Sequence, residues 1–131
     1  MDWKYLLTSF SGRVNRKPYW LAAIAVGIVG SVLVWILMAL FGTMTVSTDP
    51  AVPPMMGFSP IGWVLAAIVY IALIWASLAL AIKRLHDRNR SGWFYLLMLV
   101  PLVNIWVAIE ILFLKGTAGP NRFGEDPLAG Q

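Results

Sequence analysis

The residues able to do chemistry are concentrated in two short polar stretches of an otherwise apolar chain. One runs Lys83-Arg84-Leu85-His86-Asp87-Arg88-Asn89-Arg90-Ser91-Gly92-Trp93. The other runs Gly116-Thr117-Ala118-Gly119-Pro120-Asn121-Arg122-Phe123-Gly124-Glu125-Asp126-Pro127. His86 beside Asp87 is a pairing that general acid–base catalysis uses, yet a lone histidine next to an aspartate is more often a hydrogen-bonded loop residue than a catalytic base or metal ligand. A metal site would need more ligands than the loose set of Asp87, Glu125 and Asp126 adds to this histidine, and the chain has no cysteine. Ser91-Gly92 lacks the flanking glycines of a nucleophile elbow, and no Gly-rich phosphate loop follows a strand. The sequence therefore assigns no catalytic residue, no metal ligand and no cofactor. It assigns a candidate polar cluster instead: Arg84, His86, Asp87, Arg88, Asn121, Arg122 and Asp126. Arg84 and Asp87 are three residues apart and pair if their helix continues past Ile82. Ser91 is placed to cap a helix beginning at Trp93. Gly116, Gly119, Pro120 and Gly124 set successive turns, and the tail is expected to fold back on the Arg84–Asp87 loop through Arg84 or Arg88 with Asp126.

The chain around these stretches is built for lipid. Of its 131 residues, 60% are hydrophobic and 12% charged, with a mean hydropathy of +0.76. Soluble domains are about 25% charged, so a water-facing surface here would lack half its charge. That excludes an ordinary soluble domain and a disordered chain. The basic residues are grouped: Lys4, Arg13, Arg16 and Lys17, then none until Lys83, Arg84, Arg88 and Arg90, and last Lys115 and Arg122. This grouping explains the pI of about 9.8 through membrane topology, with no nucleic acid as partner.

The elements that must position the polar stretches follow from uninterrupted apolar length. The chain reads as one all-α membrane domain: a basic interfacial leader (1–18), a first span (19–41), an outer loop (42–59), a second span (60–82), a basic loop (83–92), a Pro-interrupted third apolar segment (93–114) and a turn-rich tail (115–131). Each full span is about 34 Å long as a helix, enough for a hydrocarbon core of about 30 Å. The first exceeds the apolar run of a signal peptide and is expected to be retained. Basic segments stay cytoplasmic, which puts the N-terminus and the 83–92 loop inside and the 42–59 loop outside. That loop, with Pro50, Pro53 and Pro54, reads as a linker without strand or helix period.

In the leader, Trp3, Leu6, Leu7 and Phe10 follow the i, i+3, i+4, i+7 pattern of an amphipathic helix, expected to lie in the interface and to end by Gly12. Arg13, Arg16 and Lys17 are the candidate lipid contacts, with anionic lipid as a candidate partner. Ala23, Gly27 and Ser31 form a small-residue ridge, read as packing on the second span or, alternatively, as a homodimer contact.

The third segment leaves two paths open. A single kinked span would carry Lys115 and Arg122 outside. A re-entrant hairpin turning at Pro101–Asn104 would return them inside, its half-helices reaching only mid-membrane. Asn104 and Glu110 are the candidate intramembrane polar residues. Ionisable groups inside spans usually face an interior or a water pathway, although Glu110 lies close enough to Lys115 to reach the interface.

Four motifs in order resemble the bacterial family called domain of unknown function 805. They are Gly12-Arg13 with Arg16, Tyr19 and Trp20; Arg84 to Asp87 followed by Ser91 to Trp93; an apolar stretch with a central Pro101; and Gly116 to Pro127. The resemblance covers nearly the whole chain and implies a small polytopic protein of the bacterial inner membrane with no assigned activity. The residues by themselves favour a non-catalytic protein acting by assembly with itself or a membrane partner. The alternatives are a small transporter or channel subunit using Asn104, Glu110 and the arginines, and an enzyme on lipid headgroups using His86 and Asp87.

Overall fold

The computed structural model describes residues 2–128; the last three residues of the tail lie outside the described residues. The elements are α1 (Trp3–Thr8), α2 (Arg16–Phe41), β1 (Gly42–Thr45), β2 (Met55–Phe58), α3 (Pro60–Asp87), a 3-10 helix (Gly92–Leu99) and α4 (Val103–Leu112). Helices α2 and α3 are both long and apolar enough to cross a membrane. The chain packs as two compact units whose boundaries fall within these two helices. One runs from Gly27 to Leu73; the other joins residues up to Val26 with those from Ile74 onward.

In the Gly27–Leu73 unit, the expectation of an unstructured 42–59 loop is corrected. Gly42 to Thr45 pairs antiparallel with Met55 to Phe58, Gly42 opposite Phe58 and Thr45 opposite Met55. The helix ends dictate this ladder: the Ser59 amide donates to the Phe41 carbonyl at 2.8 Å, so the flanking residues leave side by side and pair. Phe58 meets Trp63 edge to face at 5.2 Å. Helix α2 approaches α3 closely at Gly30, where an added Cβ would come within 3.0 Å of the Leu73 side chain.

This approach shifts the expected ridge by one position. The packed face of α2 carries Ala22, Val26 and Gly30, whereas Gly27 and Ser31 face outward and Gly27 has open space beside it. In the other unit, Ala22 packs with Leu6, Val14 and Leu80, joined by Tyr5 and Leu7. So Leu6, on the apolar face of α1, is buried against protein, while Trp3 stays outward-facing. Asp2 caps α1 by accepting from the Tyr5 amide at 3.1 Å.

A second cluster unites Ala81 and Leu85 of α3 with Val107 and Ile111 of α4. The apolar segment after α3 forms two short helices. Ser91 caps the 3-10 helix by accepting from the Trp93 amide at 3.3 Å. Pro101 offers no N–H to prolong it, and Leu102 takes a positive φ of 71° before α4 begins. Both ends of the segment return to the last turns of α3: Gly92 lies against Ile82, and the Ile111 carbonyl accepts from Arg84 Nε at 2.9 Å.

Candidate functional site

Helix α3 continues past Ile82 to Asp87, which places Lys83, Arg84, His86 and Asp87 on one helical end, all buried. Arg84 and Asp87 meet as their spacing requires, Nη1 to Oδ2 at 2.8 Å. The other carboxylate oxygen receives Arg13, with Nε at 3.1 Å and Nη2 at 3.0 Å. Asp87 is thus a buried anion between two buried guanidiniums. Each arginine spends its remaining donors on backbone. Arg13 reaches the carbonyls of Thr117 (2.6 Å), Gly119 (2.8 Å) and Gly124 (3.3 Å). Arg84 reaches those of Val14 (3.2 Å), Ile111 (2.9 Å), Leu114 (2.7 Å) and Glu110 (3.3 Å). Buried charge is tolerable only when paired and fully hydrogen-bonded, and these two forks meet that condition.

The leader and the tail are tied to the same helical end. Lys83 donates to the carbonyl of Tyr5 and, at 2.7 Å, to that of Leu6, and its ammonium sits 4.5 Å from the centre of the Tyr5 ring. Gly12 has a φ of +94° and lies against the Tyr5 hydroxyl, a conformation and an approach that only glycine permits. The Gly12 carbonyl lies 2.9 Å from His86 Nδ1, and the imidazole stacks on Phe123 with centroids 4.0 Å apart. The Thr117 amide donates to the Asp87 carbonyl at 2.7 Å. Gly116 presses on the Asp87 carboxylate so closely that a Cβ would have no room.

The structure brings most of the sequence-predicted cluster together, with different partners. Asn121 donates to the His86 carbonyl at 2.9 Å, and Arg122 to that of Asn89 at 3.1 Å. Asp126 does not pair with Arg84 or Arg88. Its oxygens accept from the amides of Gly119 and Leu128, each at 2.9 Å, and these bonds, Leu128 first, hold its carboxyl below the usual carboxylate range. The tail's own turn supplies donors nearer than any arginine. Arg88 turns to Glu110 at 3.0 Å and to the Lys115 carbonyl at 2.6 Å.

Glu110 is fully buried and also meets Arg90 at 3.3 Å; its second oxygen has no protein partner among the described residues. Asn104 stands in the first turn of α4, its backbone N–H donating to the Val100 carbonyl at 2.9 Å. Of the lipid candidates, Arg13 is excluded by burial inside the cluster. Arg16 and Lys17 are exposed, with Arg16 donating to the Phe113 carbonyl at 3.0 Å. Sequence reasoning missed Arg13 as the tail's anchor, and left Lys83 out of the candidate cluster although it opens the polar stretch. The signal available was Gly12-Arg13 itself, a glycine placed directly before a cation.

Two membrane-length helices, a shorter apolar one and a buried ionic cluster define a small helical integral membrane protein. Among such proteins, the chain belongs to the family described as "Protein of unknown function (DUF805)", which matches residues 7–125. It is 34% identical over 122 residues to "Inner membrane protein YhaI" of Escherichia coli, covering 92% of this chain and 87% of that one. It is 32% identical to "Inner membrane protein YhaH" of the same organism over 97% of both chains. A more distant relative is "Uncharacterized protein YiiR", at 25% identity over 92% of this chain and 86% of that protein. No solved structure matches.

Proposed function

We propose that this protein is a non-catalytic component of the bacterial inner membrane that acts by assembly with itself or a membrane partner. The observation that carries this reading is the fate of the motif residues. Arg13, Lys83, Arg84, His86 and Asp87 are buried and bonded to each other or to backbone, an arrangement suited to organising a surface. The outward stripe of Gly27 and Ser31 on α2 supports close helix approach by a neighbour. The transporter reading is weaker because Glu110 is already held by Arg88 and Arg90.

The N-terminus and tail lie on the cytoplasmic side in this reading, supported by the basic clusters they share. The 93–114 segment is re-entrant. Its helices rise about 16 Å and 15 Å, each too short to cross alone. The leader rests at the interface with Leu6 against protein and Trp3 toward lipid. Light scattering of the detergent-solubilised protein tests assembly: an oligomer, reduced to monomer by Gly27→Ile, is expected. A monomer that captures no membrane partner on cross-linking in intact membranes would overturn the reading.

A further inference from the structure

We infer that the unit containing the ionic cluster carries a binding site for a phosphate group at the start of α2. A cavity of about 450 Å³ lies there, walled by the first turn of α2 and by the chain following α4. That is the size of a small-ligand pocket. Three cations line it: Arg16 and Lys17 from α2, and Lys115 from beyond α4.

These charges are not spent in ion pairs. Among the described residues, the ion pairs are those of Arg13, Arg84, Arg88 and Arg90; Arg16, Lys17 and Lys115 meet no carboxylate. Arg16 gives one N–H to the Phe113 carbonyl and keeps the rest of its fork. The two carboxylates in the wall are already answered. Asp87 is held by Arg13 and Arg84, and Asp126 by the amides of Gly119 and Leu128. The cavity is therefore a concave space with net positive field, which concentrates anions. The positive end of α2 adds to the same sign.

A guanidinium fork with two ammonium groups matches the several acceptor oxygens of a phosphate better than a single carboxylate. Cations that only mark a membrane boundary have no need of a walled cavity, and Lys115 is drawn into this one from nearly a hundred residues away. Beside Arg16, the outward-facing rings of Trp20 and Phe113 lie 6.0 Å apart, a surface suited to acyl chains. The phosphate therefore belongs either to an anionic phospholipid headgroup or to a soluble phosphate; both present the same group to the same three cations.

The test uses the whole detergent-solubilised protein. Phosphatidylglycerol and phosphatidylcholine are titrated with native mass spectrometry as readout, and inorganic phosphate is titrated against chloride at constant ionic strength with thermal melting as readout. Phosphatidylglycerol is expected to bind in preference to phosphatidylcholine. The preference should fall about fivefold in each of Lys17→Gln and Lys115→Gln, survive in Lys115→Arg, and be unchanged in Lys4→Gln, whose charge lies off the cavity. Stabilisation by inorganic phosphate, lost in the same two variants, would support the soluble source; lipid preference without it would support the headgroup. The proposal is overturned if Lys17→Gln and Lys115→Gln bind as the unaltered protein does, or if neither probe binds above its control. These readouts do not depend on oligomeric state, so they stand apart from the assembly reading.

Discussion

In the unit from Gly27 to Leu73, Leu37 is the buried hydrophobic side chain, and no charged side chain is buried among the described residues. In the other unit Arg13, Lys83, Arg84, His86, Asp87 and Glu110 are all buried, alongside two apolar clusters. The first unit leaves most of its burial to lipid, which accepts any apolar side chain, so outside close approaches such as Gly30 against Leu73 its sequence is constrained chiefly by length and hydropathy. The second buries charge, and a buried charge requires one particular partner at one distance. The motif residues therefore gather there, and substitutions should cost far more in one unit than in the other.

The contrast is broken most severely at Asp87. Asp87→Ala leaves Arg13 and Arg84 buried with no anion between them, a loss expected at about 3–5 kcal/mol. Thermal melting in detergent, read by monodispersity, measures it. Asp87→Asn keeps the shape without the charge and should recover little, and the combined effect of Arg13→Ala with Asp87→Ala should fall short of the sum. Equal melting of Asp87→Ala and the unaltered protein would remove the cluster's claim to hold the unit together.

A smaller and asymmetric effect is expected at Glu110. The carboxylate is sealed, while its partners Arg88 and Arg90 are 25% and 44% exposed at their side chains. Glu110→Gln leaves cations that water can solvate. Arg88→Ala with Arg90→Ala leaves a buried anion and should destabilise more, by about 1–3 kcal/mol over the single change. The reverse order would show that the arginines, not the carboxylate, are the sealed partners.

Much of this architecture is legible from the chain alone, and the failures are specific. Both long helices follow from apolar length, and the Arg84–Asp87 pair follows from helical spacing. Arg13 did not read as a core residue because its partner lies 74 positions away and a cation before a span looks like a boundary marker. Asp126 read as the partner of a distant arginine because charge complementarity is visible in sequence, whereas donation by the amides of its own turn is not. The β1–β2 ladder is hard to read because each strand has only four residues, too few for a period to stand out; adjacent helix ends bring them together. The path of the 93–114 segment through the membrane stays open in the sequence because hydropathy is blind to chain direction.

Asp126 gives a subtler contrast within the polar unit. Its carboxyl is held below the ordinary range by the Leu128 and Gly119 amides. A carboxyl whose folded pKa is depressed stabilises fully above its unfolded value, about 3.9, and loses that contribution as pH falls through the folded value. The melting difference between the unaltered protein and Asp126→Asn should therefore be present at neutral pH and close on acidification below pH of about 4. A difference independent of pH would mean that the charge is not what the turn uses. The smallest effect belongs to the lipid-held unit: Gly57→Ala places a methyl in ordinary contact with Thr43 and Trp63, and its melting temperature should reflect a change within about 0.5 kcal/mol.

The leader, the end of α3 and the tail are bonded to one another, which requires all three to share one membrane face. The chain has no cysteine, so single cysteines report cleanly. In sealed inner-membrane vesicles of known orientation, Asn89→Cys and Ala118→Cys should react with an impermeant maleimide from the same side, and Ser47→Cys only from the other. Labelling of Ala118→Cys from the side of Ser47→Cys would place the tail across the membrane from Asp87, and no version of the cluster described here would survive it.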